Sequence, residues 1–140
     1  MENTNSNENK ILNGKTVLII DDDVFLLEMY VKKFKQFGTE IQSAMNGEEA
    51  LEKLRDGLKP DIILFDMIMP KVDGITLIKT IKEEGLIPDA AKIVLSNQGE
   101  SSDISEMKQY GIDGYIIKAM FTPSEIVDEV IKIYKEKHGL

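Results

Sequence analysis

Three short runs constrain this chain more than any other feature: Val17-Leu18-Ile19-Ile20, Ile62-Ile63-Leu64-Phe65 and Ile93-Val94-Leu95. Each is continuously apolar, mostly β-branched or aromatic, and stops abruptly at a polar residue. A strand with one wet face alternates apolar and polar side chains. A run without alternation is the pattern of a strand buried on both faces, as in a parallel sheet. Residues 39–44 alternate and are more polar, which suits an edge strand, and Tyr115-Ile116-Ile117 is short enough to be the other edge.

Stripes of helical period lie between these runs. Leu27, Tyr30, Val31 and Phe34 share a face, as do Ala50, Leu51, Leu54 and Leu58. Leu77, Ile78 and Ile81 form a third stripe, Ile104 and Met107 a weaker fourth, and Ile126, Val127, Val130, Ile131 and Tyr134 a fifth. Such stripes mean core packing, not cofactor sites. Gly38, Gly85 and Gly111 each follow an apolar stripe, as helix-terminating left-handed glycines do. Thr122-Pro123-Ser124-Glu125 reads as a capping box with proline at the first helical position. Parallel strands need helical crossovers, so five βα units predict a doubly wound three-layer α/β sandwich. The polarity of each run places the second and fifth strands at the edges, giving a five-stranded parallel sheet of order 2-1-3-4-5 with five helices.

With 140 residues the chain is expected to form one domain around one core. Residues 1–13 read as a disordered polar tail and residues 14–140 as the domain. The first nine residues hold four asparagines and no apolar run, so they are not a signal peptide. No window approaches the roughly 18 apolar residues that span a bilayer. Without cysteine there is no disulfide framework and no thiolate zinc site. A net charge of −8 repels nucleic acid and anionic lipid, so neither is expected as a partner, and a cytoplasmic location is the simple reading.

Ligands of such a sheet bind at the carboxyl ends of its strands, beside the point where strand order reverses. There the sequence places Asp21-Asp22-Asp23 after the first strand, Asp66 after the third, Ser96 after the fourth and Lys118 after the fifth. Carboxylates converging from two strand ends repel one another unless a cation stands between them. Mg²⁺ takes oxygen ligands and keeps several waters, so two carboxylates and a main-chain carbonyl suit it, and Mn²⁺ is an alternative. An oxygen of Asp66 is then placed to attack a phosphoryl group, with the Lys118 ammonium and the Ser96 hydroxyl sharing the neutralisation of its charge.

This constellation resembles the receiver domain of two-component response regulators. The separations are 44 residues from Asp22 to Asp66, 30 from Asp66 to Ser96 and 52 from Asp66 to Lys118. They match the family's usual lengths, and Asp66-Met67-Ile68-Met69-Pro70 followed by Asp73-Gly74 is similar to its loop after the phospho-acceptor. The resemblance spans roughly residues 15 to 137. It implies a flavodoxin-like fold, Asp66 as phospho-acceptor, and Asp21 and Asp22 as the acidic pair. Asp22 would bind the metal directly, Asp21 partly through water, and the Ile68 carbonyl would be the third protein ligand. Ser96 would be the switch hydroxyl, Tyr115 the aromatic that follows it, and Lys118 the partner of the phosphoryl group. It further implies a histidine kinase or phosphotransfer protein as donor and a downstream partner on the face of the fourth helix, fifth strand and fifth helix. Met107, Tyr110, Tyr115 and Phe121 are candidates for that face. The domain would catalyse its own phosphorylation and dephosphorylation and is expected to stand alone, without an output domain.

Blander readings accompany these. Asp23 caps the first helix or lies just outside the metal site; Ser96 alone is a strand-end hydroxyl, Lys118 alone a solvated lysine, and Tyr115 alone edge-strand packing. Met67, Met69, Met107 and Met120 read as gap-fillers, and His138 as a cation at a helix end. Three departures from the family pattern stand out. Ala119 replaces the usual proline after the lysine, with its cis peptide; Asn97 replaces a very small residue; and Ile68, with Gln98, occupies a position that tunes hydrolysis. An apolar Ile68 cannot orient water, so a long-lived phospho-form is expected. Two rivals remain: a receiver-like interaction module that is never phosphorylated, and a phosphatase of the haloacid-dehalogenase type. The latter would have its nucleophile after the first strand in an Asp-x-Asp-x-Thr/Val run, where this chain has Phe25 at the last position.

Overall fold

The three apolar runs pair with one another, and the two weaker runs close the sheet on either side. The computed structural model describes residues 11–69, 71–97 and 101–140, the side chains of 101–103 excepted. In chain order the elements are β1 (Thr16–Ile20), α1 (Val24–Lys35), β2 (Glu40–Ala44), α2 (Gly47–Arg55), β3 (Ile62–Asp66) and α3 (Gly74–Glu84). Then follow β4 (Ala91–Ser96), α4 (Ser101–Gln109), β5 (Gly114–Ile117), a 3₁₀ turn (Lys118–Met120) and α5 (Pro123–His138). Every strand pairing is parallel and the order is β2-β1-β3-β4-β5, the flavodoxin-like topology expected.

Burial on both faces explains why the strands do not alternate. Leu18, Ile20, Ile63, Phe65 and Val94 pack toward α2, α3 and α4, while Val17, Ile19, Ile62, Leu64, Ile93 and Leu95 pack toward α1 and α5. Fully burying each such side chain stabilises by roughly 1.5–3 kcal/mol, so truncating one, such as Leu64→Ala, costs about 2–5 kcal/mol once the cavity is counted. Helix ends form where their residues direct. Asp23, Asn46 and Asp73 cap α1, α2 and α3 by accepting main-chain N–H groups, and Thr122 and Glu125 complete the capping box of α5. Gly38, Gly85 and Gly111 all have positive φ, at 72°, 66° and 91°.

Some boundaries differ from expectation. Packing begins before residue 14: Leu12 is completely buried in the core between sheet, α1 and α5, and its carbonyl accepts from the Thr39 hydroxyl at 3.3 Å. A lone Ile11-Leu12 pair in a polar stretch shows no period, so nothing in the sequence sets it apart from a tail. The β4 strand starts two residues before its apolar run, taking in Lys92. Met107 is fully buried, so it packs against the sheet and cannot face a partner, whereas Tyr110, Tyr115 and Phe121 are partly exposed. The peptide between Lys118 and Ala119 is not cis, since no cis bond occurs among the described residues; the chain instead turns there in a 3₁₀ conformation.

Candidate functional site

At the carboxyl ends of β1 and β3 the strands deliver Asp21 and Asp66, and just past β5 comes Lys118. The Lys118 Nζ lies between the two acids, donating to Asp66 Oδ2 at 2.9 Å and to Asp21 Oδ2 at 3.1 Å. All three side chains are nearly buried, with 3%, 13% and 9% of the Asp21, Asp66 and Lys118 side chains exposed. Burial pulls the Lys118 ammonium down, but the hydrogen bond and charge of Asp66, reinforced by Asp21, outweigh it and hold its pKa above the ordinary value. The remaining acid oxygens are held by the main chain: Asp21 Oδ1 accepts from the Asp23 N–H at 2.9 Å, and Asp66 Oδ1 from the Ile68 N–H at 3.3 Å.

Close packing behind Asp66 fixes its position. Gly74 opens α3 so near the end of β3 that a Cβ there would stand 2.8 Å from the Asp66 carbonyl oxygen and 2.8 Å from Met67 Cα. The Gly74 N–H donates to the Met67 carbonyl at 2.8 Å, which folds the loop back on the strand end. Ser96 ends β4, is buried, and pairs in register with Ile117, one residue before Lys118.

Asp21, Asp22, Asp23, Leu26, Asp66, Met67, Ile68, Ser96, Asn97 and Lys118 line one cleft of about 410 Å³. Every residue assigned to the site from sequence is therefore gathered here except Tyr115, which lies on β5 opposite Val94, partly buried against the α2–α4 side of the core. Asp23 serves as the α1 cap, accepting from the Phe25 and Leu26 N–H groups, while also forming part of the cleft wall. Gln98 and Pro70 lie outside the described residues. Leu26 and Met67 also line the cleft; being apolar, they carried no signal beyond adjacency to Asp23 and Asp66. A larger hollow of about 560 Å³ lies at the opposite pole, bordered by Pro60, Pro88 and His138, and holds none of the strand-end acids.

Among the described residues, four carboxylates and one ammonium give the cleft a surplus of negative charge. Its donors are oxygens throughout, the set that a hard divalent cation prefers, and Asp22 and Ile68 are exposed at the mouth where such an ion would enter. No three acidic side chains among the described residues converge into a ready cage. A cation held by two carboxylates, a carbonyl and water does not require one, so the residues fit.

A parallel sheet of this order, with two strand-end aspartates bridged by a strand-end lysine, defines a receiver-type signalling domain. The chain belongs to the response regulator receiver domain family, whose model it matches over residues 17–131. It is 38% identical over 123 residues to the chemotaxis protein CheY of Thermotoga maritima, covering 87% of this chain and 99% of that protein. Over 114 residues it is 36% identical to the phosphate regulon transcriptional regulatory protein PhoB of Pseudomonas aeruginosa. That match covers 81% of this chain but 49% of PhoB, so the chain spans about half of this longer relative. Among solved structures, a receiver domain protein from Methanospirillum hungatei superimposes with a TM-score of 0.80 at 23% identity, covering 89% and 97% of the two chains, a likeness of fold. A chain of the CheX–CheY–BeF₃–Mg²⁺ complex from Borrelia burgdorferi gives 0.78 at 29% identity, covering 87% and 90%. Receiver domains of this type are signalling domains of two-component systems. They generally bind Mg²⁺ and act between histidine kinases and downstream proteins. No helix among the described residues is long and apolar enough to cross a membrane.

Proposed function

We propose that Asp66 accepts a phosphoryl group, and that this chain relays it as a conformational signal. The observation that carries the reading is the Lys118 ammonium held 2.9 Å from Asp66 Oδ2 at the floor of an acidic, oxygen-lined cleft. Asp66 Oδ2 attacks the phosphorus in line with the leaving group, which is the imidazole of a donor's phosphohistidine or the carboxylate of a small acyl phosphate. A P–O bond forms to Asp66 as the bond to the leaving group breaks. Transfer of this kind is chiefly positioning and charge neutralisation. Lys118 is already placed for the second task, and Ser96 can donate its hydroxyl to a phosphoryl oxygen. Asp22, Asp66 and the Ile68 carbonyl, with Asp21 through water, would hold Mg²⁺ or Mn²⁺, which supplies further positive charge to the transferring group.

The product then biases a two-state equilibrium through Ser96 and Tyr115 toward a form recognised on the α4–β5–α5 face. A histidine kinase or phosphotransfer protein is the donor and another protein the receiver of the signal. Nucleic acid and membrane are not partners of these 140 residues, and the setting is cytoplasmic. A Mg²⁺-containing complex of a similar chain from Borrelia burgdorferi supports the metal assignment.

The test is incubation with acetyl phosphate and Mg²⁺, followed by intact mass, beside Asp66→Asn. One phosphoryl group on the wild type, absent in the variant and with chelator, is expected. Absence of an adduct on both wild type and Asn97→Ala would overturn the reading in favour of an interaction module; an adduct on Asn97→Ala alone would locate the obstruction at the cleft rim.

A further inference from the structure

Lys92 is the second residue of β4, a strand buried along its whole length, and is itself 7% exposed. Lysine is almost never buried so far without a paired charge. The Lys92 Nζ donates to the Ala90 carbonyl oxygen at 3.1 Å, and no carboxylate among the described residues lies at ion-pair distance from it. Asp113 Oδ1 accepts from Lys137 Nζ at 3.1 Å, and its Oδ2 accepts the main-chain N–H of Lys92 at 2.8 Å. Burial pushes the Lys92 ammonium below its ordinary pKa, and the charge of Lys137 adds to that; Asp113 and Asp89 act in the opposite sense without restoring it.

This ammonium borders a hollow of about 380 Å³ between the ends of α3, α4 and α5, which Lys82, Lys137, Leu86 and Ile112 also line. Among the described residues, three ammonium groups face one carboxylate there, in a chain whose overall charge is −8. The carbonyl ends of α3, α4 and α5 contribute roughly half a negative charge each, so about half a positive charge remains uncompensated. Each ammonium has three donors and uses one on a protein acceptor, namely the Gln109 carbonyl, the Ala90 carbonyl and Asp113. The volume is that of a small-ligand pocket.

We propose that this hollow binds a small organic acid, its carboxylate meeting the Lys92, Lys82 and Lys137 ammonium groups and its short apolar body lying against Leu86 and Ile112. Such a ligand supplies the counter-charge that Lys92 lacks among the described residues. It also finds here a surplus of ammonium groups that the acidic cleft at the other end of β4 does not offer without a bound cation.

The experiment is a heteronuclear NMR titration of the whole chain with sodium butyrate, with chloride replacing butyrate at constant ionic strength in the control. Saturating shifts at the Ile112 and Asp113 amides and at the Lys92 side-chain methylene are expected, with a Kd on the order of 1 mM. Lys92→Gln should weaken binding about tenfold or more, and Lys137→Gln, at a surface ion pair, about threefold. Asp66→Asn, which removes the proposed phospho-acceptor, should leave the butyrate Kd unchanged. Shifts that fail to saturate, or that are matched by chloride, or that persist unchanged in Lys137→Gln and Lys92→Gln, overturn the site. Tighter binding of inorganic phosphate than of butyrate overturns the organic-acid assignment. The wild-type side-chain signal of Lys92 decides the matter even where Lys92→Gln does not fold.

Discussion

Lys118 is the residue on which the cleft turns, because it holds two nearly buried carboxylates together. Without it, Asp21 and Asp66 face each other with no counter-charge, and breaking a buried pair in this way costs more than the intact pair contributes. Lys118→Met is expected to lower stability by about 2–4 kcal/mol at neutral pH in the absence of divalent cation, read from urea midpoints. The pH dependence has a defined sign. The folded ammonium titrates above the ordinary 10.5, so the folded chain holds this proton more tightly than the unfolded one. The stabilisation is therefore complete below that value and lost as pH climbs through the folded pKa. Wild type should converge on Lys118→Met in alkali, and a gap that stays constant would show that packing, not charge, underlies it. Ile68 poses a kinetic question instead. It is 82% exposed at the cleft mouth, where an apolar side chain offers water no hydrogen bond. Ile68→Asn is expected to shorten the phospho-form's half-life roughly tenfold, about 1.4 kcal/mol in barrier. A longer half-life in the variant would count against that role.

Elements carry the precision that residues alone lack. Gly74 must be glycine because α3 begins against the backbone of residues 66 and 67, where a Cβ has no room and no flexible neighbour to displace. Gly74→Ala should cost about 1–3 kcal/mol and slow phosphorylation together, since the atoms that must move include the acceptor's own carbonyl. Retained phosphorylation with lost stability would separate the two. In β4 the opposite holds for Lys92. Its depressed pKa means the unfolded chain binds that proton more tightly, so the charge costs stability at neutral pH and the cost disappears as pH rises. Lys92→Met is accordingly expected to be neutral or stabilising by up to about 1 kcal/mol in thermal unfolding, and clear destabilisation would show the ammonium to be satisfied as it stands. Elements also show where sequence runs out. The continuous runs at residues 17–20 and 62–65 announced buried parallel strands because burial on both faces abolishes alternation, and the polar residue ending each run announced the site. Lys92 breaks no run, since the apolar stretch begins at Ile93, and a long aliphatic stem lets lysine occupy a buried strand. Ala119 left two outcomes open for the peptide after Lys118; only the backbone, with its 3₁₀ turn, chose between them.

At the scale of the molecule, charge is arranged unevenly. Asp21, Asp22, Asp23 and Asp66 stand together at one pole against a single ammonium, while the chain as a whole carries −8. Folding therefore works against concentrated repulsion that, among the described residues, one ammonium, Lys118, offsets from within. A divalent cation binding the folded cleft and not the unfolded chain must stabilise by mass action, by about 2.7 kcal/mol at a concentration one hundred times its Kd. Mg²⁺ is thus expected to raise the thermal midpoint in a saturable way, and chelator to reverse it. Monovalent salt screens exposed charges but leaves partly buried ones largely unscreened, so sodium chloride at equal ionic strength should produce a smaller, non-saturating change. Asp22 separates ligation from general screening. Its side chain is exposed, so Asp22→Asn disturbs no packing and removes one negative charge, which by electrostatics alone should stabilise the metal-free fold. If Asp22 holds the ion, the same substitution must abolish most of the Mg²⁺-induced rise. A variant more stable without Mg²⁺ yet indifferent to its addition meets both conditions, and one that keeps the full rise removes Asp22 from the metal site.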